Sequence, residues 1–144
     1  MEELLELRGY IESQQYPEAL VLIEEMEEMS RDDKINRIDS FMTVLLLHLI
    51  KKQAEQRLTR SWELSILNSI RQIVKTNKRR KAGGTYLNRE QLIEVIHEAY
   101  SFALENATLE AFGGAYTAEQ LGNMVIREEI EQEAFTLIQN YRSE

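Results

Sequence analysis

The chain has 144 residues, with 25 acidic and 17 basic side chains, a net charge of −8, one proline and no cysteine. No cysteine means no disulfide and no thiolate chemistry, and this length makes most simply one domain, 1–144, large enough to close a core without staples. The acidic start Met1-Glu2-Glu3 is the opposite of a basic secretory leader, so the expectation is a cytosolic protein.

The first helix is predicted over residues 2–14, with Leu4, Leu7 and Ile11 on one side and Gly9 weakening it by about 1 kcal/mol relative to Ala. Tyr16-Pro17 marks a boundary, because proline suits a helix's first turn, where its missing N–H costs nothing. The next helix, about 17–29, places Ala19, Leu22, Ile23, Met26 and Met29 on one face. Glu24, Glu25, Glu27 and Glu28 lie opposite. Those carboxylates point to different sides of a helix and cannot converge on one cation, so they read as a solvated face.

Ser30-Arg-Asp-Asp33 looks like a start signal, with Ser30 as the N-cap of a long helix, about 31–56. Its stretch from Phe41 to Ile50 is apolar almost all round. Ten residues, eight of them apolar, are too few for a bilayer, which takes about 20, and Ile35, Ile38, Met42, Leu45 and Leu49 keep helical spacing through it. A helix without a solvent face needs partners on several sides, which predicts the central helix of a bundle.

Ser61 is read as the N-cap of a helix over about 62–80. Trp62, Ile66, Ile70, Ile73 and Val74 form its apolar face, which makes the indole a core residue. Arg71, Lys75, Lys78 and Arg79 lie opposite, and Gly83 or Gly84 is the expected left-handed stop. Asn88-Arg-Glu-Gln91 opens a helix over about 89–106 that buries Leu92, Val95, Ile96, Ala99, Phe102 and Ala103. Thr117-Ala-Glu-Gln120 opens a short one to about 126. Residues Arg127 to Tyr141 continue it or follow a kink. No segment alternates with period two. The expectation is an all-α, single-domain, up-and-down bundle of four main helices with short terminal ones.

The charge is unevenly spread. Residues 1–40 carry 12 acidic and 4 basic side chains, residues 51–81 carry 10 basic and 2 acidic, and residues 82–144 carry 11 acidic and 3 basic. The basic segment is the candidate binding surface: Lys51, Lys52, Arg57, Arg60, Trp62, Arg71, Lys75, Lys78, Arg79, Arg80 and Lys81. Such asymmetry marks either a surface for an acidic partner or nucleic acid, or a basic middle facing the acidic ends of its own bundle. The histidines give no catalytic or metal site. His48 is one polar ring in an apolar run. Glu94-Val-Ile-His97 is a single pair where a di-iron bundle needs two pairs and two more carboxylates. No cofactor is implied.

With those residues in hand, the chain resembles a family of helical proteins abundant in cyanobacteria, the domain-of-unknown-function family numbered twenty-nine. The likeness rests on Leu22-Ile-Glu-Glu-Met-Glu-Glu-Met29 and on Leu45-Leu-Leu-His-Leu-Ile-Lys51 with Gln53, Arg60-Ser-Trp62, Ile66 and Arg71. A third stretch is Phe112, Tyr116-Thr117 and Glu119-Gln120-Leu121. The chain departs from the family pattern at Lys52, where an aromatic is frequent, and at Gly114-Ala115, where Cys-Pro is usual. The resemblance implies a helical bundle and draws attention to His48, Arg60, Ser61, Trp62 and Arg71. The functional expectation is a non-enzymatic module that binds another protein or a second copy of itself. The alternative is nucleic-acid binding through the 71–81 stripe, and an enzyme using His48, Arg60 and Arg71 ranks third.

Overall fold

The computed structural model describes residues 2–79 and 83–142. The chain is all-α, as the periodicity predicts: α1 (Glu2–Glu12), α2 (Tyr16–Glu55), α3 (Arg60–Asn77), α4 (Arg89–Thr108), α5 (Ala118–Gly122) and α6 (Arg127–Asn140). It divides into two compact units between Lys34 and Ile35. Among the described residues no helix is long and apolar enough to cross a membrane.

The first unit is a helical hairpin. Gln14 takes a left-handed φ of 63° at the turn, and Pro17 follows in the first turn of α2. α1 buries none of its described residues, and Leu4, Leu5 and Ile11 stay exposed. Ala19 and Leu22 are buried as expected, but Met29 is exposed.

The boundary expected at Ser30 is absent, and α2 runs through it from Tyr16 to Glu55. Ser30, Asp32 and Asp33 imitate a cap, yet no glycine or proline lies between Glu18 and Glu55 to end the preceding helix. Ser and Asp inside a helix cost only a few tenths of a kcal/mol each, less than breaking and re-forming the hydrogen-bond ladder.

The second unit holds the main core. Ile38, Met42, Leu45, Leu46, Leu49 and Ile50 of α2 are fully buried. A narrow side containing Val44 and His48 stays partly open, so the helix is enclosed on most sides but not all. Around it pack the inner face of α3 (Ile66, Ile70, Ile73), the seam of α4 (Ile96, Ala99, Ala103, Ala107) and α6 (Ile130, Ala134, Phe135, Ile138). α4 packs on both α5 and α6. Its small alanines, repeating every four residues, let the helices approach closely. Phe102 falls off that seam and is 60% exposed, contrary to its expected burial, while Tyr100 takes the buried place.

The ends of α3 also differ from expectation. Its N-cap is Thr59, whose hydroxyl accepts from the Trp62 N–H at 3.1 Å; Ser61 lies inside the helix. The helix stops at Asn77, ahead of the glycines. Lys78 turns to extended backbone and bridges antiparallel to Thr85. The buried Asn77 side chain explains the stop: its Oδ1 accepts from the Leu87 N–H at 2.8 Å and its Nδ2 donates to the Leu87 carbonyl at 3.1 Å. Gly83 and Gly84 serve the returning arm instead, both with positive φ. The starts of α4 and α5 agree with the sequence reading, each with a complete capping box, at Asn88–Gln91 and Thr117–Gln120. α5 ends at Gly122, and α6 begins afresh at Arg127.

Candidate binding surface

The last turn of α2 directs four polar side chains at the segment 110–133. Lys51, only 4% exposed, places its Nζ 2.8 Å from Glu110 Oε1 and 4.4 Å from the centre of the Trp62 ring. Lys52 pairs with Glu133. Gln53 accepts from the Ile126 N–H and donates to Glu129. Glu55 accepts from Arg57 Nε at 3.0 Å and from the Phe112 N–H at 3.2 Å. Arg57 also approaches the same indole, 4.9 Å from its centre. Trp62 is therefore half-buried beneath two cations, neither an ordinary core residue nor a free stacking platform.

This web joins two of the three stretches that carried the family resemblance, because Glu55 holds Phe112 by its backbone. Phe112 needs holding. Its φ of 52° and ψ of 31° lie in the left-handed region, where a bulky side chain is strained, and Gly113 and Gly114 continue with positive φ. The Phe112 ring meets Tyr116 edge-on at 5.2 Å.

The candidate residues thus fall into two groups. Lys51, Lys52 and Arg57 are engaged by Glu110, Glu133 and Glu55 within the bundle. Arg60, Arg71, Lys75, Lys78 and Arg79 are exposed and, among the described residues, form no ion pair. Arg79 comes within 6.0 Å of the Tyr86 ring. Arg80 and Lys81 lie outside the described residues.

On the outer face of α3 the free cations have unexpected company. Arg60, Leu64, Leu67, Arg71 and Lys75 are spaced by 4, 3, 4 and 4 residues, one continuous helical stripe, and every member is exposed. Leu64 is 58% and Leu67 51% exposed. The two leucines were missed in reading the sequence because the opposite isoleucine face drew the apolar assignment. Their phase with Arg71 was the available signal.

His48 bonds within its own helix, its Nδ1–H donating to the Val44 carbonyl at 2.9 Å. Among the described residues it makes no hydrogen bond to Arg60 or Arg71. His97 does not turn to Glu94. Its Nδ1 lies 3.1 Å from Glu131, which also pairs with Arg127, and Arg127 donates to the His97 carbonyl at 2.7 Å. The Arg127 guanidinium covers the Tyr100 ring at 4.6 Å.

Burial raises the Tyr100 pKa above its ordinary 10.0, outweighing the opposing charge of Arg127. A phenol whose folded value is raised stabilises fully below its unfolded value and loses that contribution as pH rises through the folded one. Urea unfolding of wild type against Tyr100→Phe should therefore give a constant difference below pH about 10. Above it, wild type should lose ground to the variant. A pH-independent difference would mean that the phenol is not desolvated.

A family model described as "Domain of unknown function DUF29" matches residues 17–124. No curated protein and no solved structure matches the chain. The match runs from the first turn of α2 to just past α5, and it takes in Lys51, Trp62 and Phe112 together. The chain belongs to the DUF29 family.

Proposed function

We propose that the chain is a non-enzymatic interaction module whose outer α3 face receives an acidic amphipathic helix, from another protein or from a second copy of the chain. The observation that carries this is the pair Leu64 and Leu67 standing exposed between Arg60, Arg71 and Lys75. A helix laid along α3 needs apolar anchors at helical spacing with complementary charge at the ends, and the stripe supplies both. A surface that tracks phosphates has no use for two leucines at its centre.

The chain itself contains a helix of the required chemistry. Glu18, Val21, Glu25 and Met29 are exposed on one side of the start of α2, the first three bordering the groove towards α1. The first partner to test is therefore a second copy. Sedimentation velocity should reveal reversible association that weakens with added salt, as exposed charge pairs do. Leu67→Glu should weaken it about thirtyfold, the cost of losing an anchor of ~2 kcal/mol. Association that is indifferent to Leu67→Glu and Arg71→Glu would refute this face as the docking surface.

The unpaired cations supply the one argument for the second reading, nucleic-acid binding. Affinity for a random oligonucleotide should then fall steeply between about 50 and 200 mM salt and should depend on Arg71 but not on Leu67. No binding at low salt would remove that reading.

A further inference from the structure

At the C-terminal end of α3, a cavity of about 530 Å³ opens between α3, the arm that returns to α4, the first turn of α4, and α6. Its walls are apolar, formed by Ile73, Leu92, Phe135 and Ile138 among others. Lys78 and Arg89 stand at it, both exposed. In a chain with 25 acidic and 17 basic side chains, no carboxylate occurs among the described residues lining this cavity. Neither cation forms an ion pair among the described residues.

The cavity is also held in shape before anything enters. Asn77 bonds both backbone groups of Leu87 through its amide and so pins the arm forming one wall to α3, while Thr85 Oγ1 donates to the Leu87 carbonyl at 2.8 Å within the arm. Arg89 lies over the Phe135 ring at 5.2 Å, which sets its guanidinium beside the apolar wall. A preformed cavity in the ordinary ligand size range, apolar within and charged by one sign at its rim, suits a molecule with the same division.

The geometry points to a binding site for an amphipathic organic anion, specifically a linear alkyl carboxylate. Its chain lies against Ile73, Leu92, Phe135 and Ile138, and its carboxylate faces Arg89 and Lys78. The cations do not suit an alkylammonium, and the alkyl contact gives no purchase to inorganic phosphate.

The test is calorimetric titration of the full chain with dodecanoate, dodecanol and dodecyltrimethylammonium, each below its micellar concentration. Dodecanoate is expected to bind at one site, more tightly than dodecanol, with no binding of the cationic detergent. Lys78→Gln with Arg89→Gln should weaken dodecanoate about tenfold, as expected when a charge-assisted contact is lost, and leave dodecanol unchanged. Unchanged dodecanol binding also serves as the control that the double variant is folded. Amide resonances should shift upon binding only within residues 73–78, 84–92 and 135–139. Absence of dodecanoate binding, equal affinity for dodecanol, indifference to the double variant, or shifts centred elsewhere would each overturn the assignment.

Discussion

Leu46→Ala is expected to lower the unfolding free energy by about 3–4 kcal/mol, measured by urea denaturation. Leu46 is fully buried and belongs to a turn of α2 whose neighbours Leu45, Leu49 and Ile50 are also fully buried. Truncation removes three carbons from a site walled by other helices, so the loss combines transfer energy with an unfilled cavity. Domains of this size hold only about 5–15 kcal/mol in reserve, which makes the effect a large fraction of the whole. Val44→Ala, two residues away on the open side, should cost less than about 1 kcal/mol. Equal costs at the two positions would show that α2 is not enclosed as described.

The second large effect concerns Lys51. Glu110→Ala should destabilise by about 3 kcal/mol, because it leaves an ammonium that is almost fully buried with only the indole face for company. Lys51→Met should fall within about 1 kcal/mol of wild type. It keeps the packed stem, abolishes the buried charge, and frees a Glu110 carboxylate that is half-exposed and can turn to water. The ordering is the diagnostic: removing the cheaper, more exposed partner should hurt more. If Lys51→Met is the worse variant, the pair contributes through attraction and not merely through the cost of breaking it.

What could be read from the sequence was whatever is encoded locally. Ile66, Ile70 and Ile73 announce their face by spacing alone, and Asn88 and Thr117 announce helix starts because the cap and its reciprocal glutamine are three residues apart. Ser30 misled for a related reason. A start signal acts only where the preceding helix has cause to end, and nothing upstream supplied one. Phe102 shows a different limit, since overlapping apolar faces on one helix cannot be ranked without knowing that the alanine seam permits the closer approach. The binding surface was half legible. The basic run from Lys51 to Lys81 was visible, but its division was not, because Lys51 finds Glu110 across 59 residues and Lys52 finds Glu133 across 81.

Handedness gives the loop that begins at Phe112 a further meaning. Phe112, Gly113 and Gly114 all carry positive φ, so three successive residues trace a left-handed turn between right-handed helices. L-residues resist that hand, whereas achiral glycine does not. Two of the three positions have given up side chains altogether, and the third keeps an aromatic ring only because Glu55 grips its N–H. The turn reverses the chain's screw sense for three residues just ahead of Tyr116 and the cap of α5. A residue of inverted chirality would fit position 112 without the strain that the natural phenylalanine bears.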